Sequence, residues 1–144
     1  MKEYKFEGNF YLYAKLIKRM YESALTKAAA TIKLTLPEAD VLCFLRENPE
    51  FDTARDVALY RDVSRPYVSK AVELLVNKGY LIVSGDKDDR RLQHLTITER
   101  GKPAAEVLHK AQYAFYDSVT AKLTQEETSM LLTLIGKCAE TLNP

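Results

Sequence analysis

Two helical patterns near the middle of this chain are separated only by Arg61, Asp62 and Val63, and that short join restricts the fold more than any other feature. The first pattern opens on Thr53, Ala54, Arg55 and Asp56, where a threonine N-cap with an acid three residues on forms a capping box. It continues through Val57, Ala58, Leu59 and Tyr60. The second reads SRPYVSKAVELLVNKGY and begins at Ser64, a favoured N-cap. Its apolar residues Val68, Ala71, Val72, Leu75 and Val76 share one helical face, and Gly79 stands where a left-handed residue closes a helix. Two helices joined this closely make a helix-turn-helix. The turn commonly holds glycine; here Asp62, one of the few residue types that accept a left-handed backbone, is expected to replace it.

The surrounding patterns extend this unit. Phe10, Tyr13, Ile17, Met20 and Ala24 repeat at helical spacing and predict a helix from 10 to about 30. Thr35 and Glu38 form a capping box before a helix containing VLCFL, which Asn48 and Pro49 end. After Gly79 the period changes. YLIVS (80–84) and LQHLTIT (92–98) read as strands around the charged tip GDKDDRR (85–91), and a β-hairpin directly behind a helix-turn-helix is a wing. Two helices follow. One carries Ala104, Val107, Leu108, Ala111, Phe115 and Val119, and the other carries Leu131, Leu134, Ile135, Cys138 and Leu142 behind the capping box TQEE. Pro103 predicts a kink or a late start in the first of these. The expected class is mainly α with a small β-hairpin wing.

The 144 residues suffice for one domain with a real core. The net charge of +1 hides an uneven distribution. Residues 61–102 carry nine basic and six acidic side chains, whereas 103–144 carry three and five. No apolar run is long enough to span a membrane, and the N-terminus lacks a signal peptide's apolar core. Cys43 and Cys138 fall inside apolar helical patterns, which predicts buried, reduced thiols in a cytoplasmic protein.

Taken together, VSRPYVSKAVELLVNKGYL and DKDDRRLQHLTITERG resemble the MarR family of bacterial transcriptional regulators, and the resemblance covers nearly the whole chain. It implies a winged helix-turn-helix at 35–102, flanked by dimerisation helices at 1–34 and 103–144, in a homodimer that binds palindromic promoter DNA. One departure stands in the wing. The family commonly reads Asp-Pro-Arg-Asp-Arg-Arg there, and this chain has Asp88 where the arginine that enters the minor groove is expected. Lys87, Arg90 and Arg91 remain to supply that contact, although Arg90 is also placed to pair with Asp86 or Asp89.

A helix fits the major groove, and its first turn can bring side chains to base edges. Arg65, Pro66, Tyr67, Ser69 and Lys70 occupy that turn and its neighbour. Arg65 and Lys70 can meet guanine acceptors or phosphate, Ser69 can donate or accept, and Tyr67 can offer a hydroxyl and a ring to a thymine methyl. Thr53 and Arg55 are placed for phosphate contacts that fix register. Each residue alone suits a solvated surface; their combination before a charged hairpin points to DNA.

No catalytic arrangement and no cofactor motif stands out. His94 and His109 have no nucleophile or metal spacing beside them and read as surface histidines. The resemblance also implies a small-ligand cavity between the dimerisation helices and the winged region, for which Tyr13 and Tyr113 are candidates toward an aromatic acid. The apolar stripes of the first and last helices exceed what one winged region can cover. Phe6, Phe10, Leu134 and Leu142 are therefore the expected dimer contacts. The function so implied is a repressor relieved by a small ligand. The competing class is a winged-helix protein adaptor that has lost DNA binding.

Overall fold

The computed structural model describes residues 9–142. Its elements in chain order are α1 (Phe10–Thr31), α2 (Leu36–Glu47), α3 (Ala54–Tyr60), α4 (Arg65–Asn77), β1 (Leu81–Gly85), β2 (Gln93–Ile97), α5 (Lys102–Thr120) and α6 (Gln125–Leu142). The chain is mainly α with a small wing. It gathers into two compact units, one ending at Gln112 and the other beginning at Tyr113, so the division falls inside α5.

Local chemistry sets the helix starts of the first unit. The Glu38 carboxylate accepts both the amide and the hydroxyl of Thr35, at 2.9 and 2.8 Å. Asp56 accepts the same two groups of Thr53, at 3.2 and 2.6 Å, and returns its own amide to the threonine oxygen. The Ser64 hydroxyl accepts from the Tyr67 amide, with Pro66 in the first turn where its missing N–H costs nothing. Asp62 holds the helix-turn-helix corner at φ 52°, as its residue type allows, and Gly79 closes α4 at φ 73°.

These elements surround one core. Leu25 and Ala29 of α1, Val41, Leu42 and Cys43 of α2, Val57 of α3, and Val68, Ala71 and Leu75 of α4 are buried with Leu81, Leu95, Ala104 and Leu108. Burying each large apolar side chain contributes roughly 1.5–3 kcal/mol, which is what holds seven-residue α3 in helical form. Glu38 is buried as well, and the ammonium of Lys78 at the end of α4 closes on it while also donating to the Lys33 carbonyl. Burial alone would raise the Glu38 carboxyl, but the bonds from Lys78 and Thr35 outweigh it and the net direction is down.

The wing pairs β1 and β2 antiparallel, with Leu81 opposite Ile97, Val83 opposite Leu95 and Ser84 opposite His94. The far edge of β2 is met by the segment before α3. There the Leu95 amide donates to the Asp52 carbonyl at 2.7 Å, and Thr53 bridges to His94. A stitch at Thr98 then fixes the base of the hairpin. Its amide donates to the Tyr80 carbonyl, its hydroxyl donates to the Gly79 carbonyl at 2.6 Å, and the Gly101 amide donates back to that hydroxyl. The turn so formed delays α5 to Lys102, which leaves Pro103 in the first helical turn.

In the second unit, Thr124 and Glu127 form the expected capping box, at 2.8 and 3.1 Å. No residue of α6 is buried. This corrects one expectation: Cys43 is buried, but Cys138 is exposed, as its whole helix is without a buried residue among the described residues. Leu134 and Leu142 are exposed on the same helix, and Phe10 is exposed at the start of α1. Phe6 lies outside the described residues.

Candidate nucleic-acid interface

The N-terminal ends of α3 and α4 and the return side of the wing enclose a concavity of about 500 Å³. Thr53, Arg55, Arg65, Ser69 and Arg91 all line it, and Asp89 is the acidic member. Residues separated by up to 38 positions in the sequence therefore share one surface. Pro66, Lys70, Lys87 and Arg90 are exposed outside this lining. Among the described residues, no carboxylate lies within ion-pair distance of Arg55, Arg65, Lys70, Lys87, Arg90 or Arg91. Elsewhere, Arg46 meets Glu106 at 2.8 Å, and Lys78 and Lys102 each hold a glutamate. Cations left without a carboxylate can take a phosphate without first breaking a bond.

At the wing tip two of the three aspartates are engaged by backbone amides. Asp86 Oδ1 accepts the amides of Asp88 and Asp89, both at 2.7 Å, and Asp89 Oδ1 accepts the Arg91 amide at 2.9 Å. These two carboxylates shape the loop instead of pairing with Arg90. Asp86 Oδ2 meets His94 Nε2 at 2.9 Å, while His94 Nδ1 meets Asp52 Oδ1 at 2.6 Å. The His94 bond and the Asp89 and Asp88 amides hold the Asp86 carboxyl down to about 2, and the bonds to Asp52 and Asp86 raise His94 above its ordinary value. Sequence reasoning placed His94 on the surface and missed both partners. Nothing in the spacing joins position 94 to position 52.

Two candidate contacts have a different geometry from the one expected. Tyr67 is half-buried against the core, and its hydroxyl donates to Asp40 Oδ2 at 2.9 Å. Its hydroxyl, expected to be free to meet a base, is bonded to Asp40 and ties α4 to α2. Burial, then the hydrogen bond to Asp40, raises Tyr67. The Thr53 hydroxyl is similarly committed to Asp56.

Behind Tyr67 lies a polar cluster that the sequence did not reveal. Arg61, at the end of α3, sits beside Tyr21 of α1 and Asp40 of α2. Gln112 Nε2 donates to the Tyr21 hydroxyl at 2.9 Å. Burial pulls the Arg61 guanidinium down, but Tyr21 and Asp40 outweigh it, so the charge is retained. Burial raises Asp40 more than Tyr67 and Arg61 lower it. Burial also pushes the Cys43 thiol up to about 12, which keeps it unreactive. Tyr13 and Tyr113 are both exposed, Tyr13 on α1 and Tyr113 at the start of the second unit.

Comparison with known proteins follows the same outline. The model of the MarR family matches residues 32–92. Over 87 residues the chain is 29% identical to the HTH-type transcriptional regulator BilQ of Clostridium symbiosum, covering 60% of each protein. It is 30% identical over 89 residues to the uncharacterized HTH-type transcriptional regulator YwaE of Bacillus subtilis, covering 62% of this chain and 52% of that one. The chain thus matches less than two thirds of the length of these relatives. Among solved structures, a MarR protein from Peptoclostridium difficile superposes with a TM-score of 0.81 at 20% identity, covering 99% of this chain and 92% of the other. MepR of S. aureus in complex with DNA gives 0.73 at 19%, covering 97% and 99%. BpsR of Bordetella bronchiseptica, whose DNA binding is regulated by 6-hydroxynicotinic acid, gives 0.72 at 22%, covering 96% and 98%. At such identities these structures share the fold.

Proposed function

Through residues 32–92 the chain belongs to the MarR family, and on that premise we propose that it is a homodimeric, sequence-specific, cytoplasmic transcriptional regulator that acts as a repressor. One observation carries this reading: Arg55, Arg65, Ser69 and Arg91 line a single concavity beside the exposed start of α4, and its arginines are free of carboxylate partners among the described residues. The width of α4 suits a major groove. Arg65, Pro66, Ser69 and Lys70 would face bases or the adjacent backbone. Arg55 and Thr53, at the start of α3, would lie against phosphate, and Lys87, Arg90 and Arg91 would flank the minor groove.

A second copy supplies the rest of the reading. The exposed apolar residues Phe10, Leu134 and Leu142 call for a cover, and a two-fold axis would set two recognition helices one DNA turn apart, about 34 Å. The site would then be palindromic. Relief by a small aromatic acid, with Tyr13 and Tyr113 in its cavity, requires only that the ligand favour a dimer whose α4 helices are wrongly spaced. BpsR, which responds to such an acid, supports that chemistry. The matched relatives are regulators and not enzymes, and no catalytic step is assigned to this chain.

The test is fluorescence anisotropy against a pool of duplexes carrying random inverted repeats, titrated across salt. Tight binding to a selected palindrome is expected, with a steep negative salt slope that flattens by about 2 in the Lys70→Ala, Arg91→Ala protein. Absence of binding to any duplex at low salt would overturn the reading in favour of a protein adaptor.

A further inference from the structure

An imidazole ring carries two nitrogens, and in its neutral form only one of them bears a proton. In His94 both nitrogens face carboxylate oxygens, Asp52 at 2.6 Å and Asp86 at 2.9 Å. Ionised carboxylates only accept, so both contacts are hydrogen bonds only when the ring is an imidazolium. The partners come from different places. Asp52 ends the segment before α3, one residue from the Thr53 cap, and Asp86 is the residue whose other oxygen gathers the wing-tip amides.

We propose that protonated His94 is a positioning residue for DNA binding, a clasp that fixes the wing against the start of α3 and so sets the distance between Arg91 and the Arg55–Arg65 pair. This rests on the DNA-binding reading above. Loss of the proton leaves one carboxylate facing a bare ring nitrogen and loosens the side-chain link between the wing and the start of α3, while the Leu95–Asp52 backbone bond stays. The charged groups that bear on the ring are Asp52 from the α2–α3 segment and Asp86 from the wing; Asp56 of α3 is occupied by Thr53, and the cross-strand neighbour on β1 is the uncharged Ser84. The sign follows from the raised value of His94: the clasp is complete below the ordinary histidine pKa of about 6.5 and is lost as pH rises through a higher value. Grip on DNA should weaken in the same direction.

Two measurements test it. In ¹⁵N-detected NMR of the full chain without DNA, His94 should show both ring nitrogens protonated at neutral pH, with a midpoint above that of an ordinary histidine. A neutral tautomer at neutral pH overturns the clasp whatever the DNA result. In anisotropy at fixed salt, affinity for the selected duplex should fall about tenfold from pH 6.5 to 8.5, and His94→Gln should abolish that dependence while His109→Gln keeps it. Asp52→Asn separates positioning from plain charge. Removing a negative charge near DNA raises affinity if His94 merely attracts phosphate, and that outcome overturns the proposal; the clasp requires affinity to fall about three- to tenfold and the pH dependence to flatten. If no duplex is bound at any pH, the regulator reading fails with the role in DNA binding, and the NMR titration still decides the clasp itself.

Discussion

Individual side chains in this protein are defined by what already occupies them. Of the three wing aspartates, Asp86 and Asp89 hold backbone amides, while the Asp88 carboxylate bonds nothing among the described residues. Asp88→Arg therefore leaves the loop's hydrogen bonds intact and adds a cation where the family carries one. It should raise affinity for duplex DNA and steepen the logarithmic salt slope by about 0.9, read by anisotropy across a salt series. Tyr67→Phe has the opposite character. It removes the donor to Asp40, whose carboxylate is already raised by burial, and should cost about 1–2 kcal/mol in urea unfolding. A loss of that size with no change in the DNA salt slope is the signature of an anchor; a change in slope with no loss of stability would return Tyr67 to the contact surface. Cys43, buried and pushed up to about 12, should resist alkylation until the protein unfolds, as mass spectrometry after brief iodoacetamide treatment would show.

Secondary elements were legible wherever their cause is local. The boxes at Thr35 and Glu38, Thr53 and Asp56, and Thr124 and Glu127 each close within four residues, and each appears as expected. Gly79 and Asp62 announced their left-handed backbones by residue type. What the pattern lacked was distance between elements. His94 meets Asp52 across 42 positions and Tyr67 meets Asp40 across 27, and no periodicity encodes either meeting. Polar residues surround Tyr67 in the sequence, and nothing among them says that its hydroxyl turns toward α2. The stripe of α6 was likewise readable, but a stripe does not say what covers it, so Cys138 was wrongly expected to be buried. At this scale the sharpest prediction concerns Gly101. A Cβ there would stand 2.4 Å from the Tyr80 carbonyl oxygen, a backbone atom with little freedom to move. Gly101→Ala should lower stability by about 1–3 kcal/mol in thermal or urea unfolding. Asp62→Gly should be neutral or stabilising by up to about 1 kcal/mol, since it relieves a left-handed aspartate.

For the whole molecule, apolar side chains stand exposed along α6 and at the start of α1 among the described residues. A second copy covers them in the proposed dimer, and stability should then depend on concentration. Leu134→Lys, on the exposed face of α6, should shift sedimentation at micromolar concentration toward the monomer and weaken binding to a palindrome at least tenfold. Binding to an isolated half-site should change far less. The helix-turn-helix would remain folded in that variant, because its core is closed by α1, α2, α4 and the first half of α5. The stitch at Thr98 has a consequence of its own. It ties the Gly79 and Tyr80 carbonyls to the turn that starts α5, with the Gly101 backbone pressed against Tyr80. In mechanical terms this is a joint: a rotation at the start of α5 has a route to the end of α4, through Thr98, that bypasses the hairpin between them.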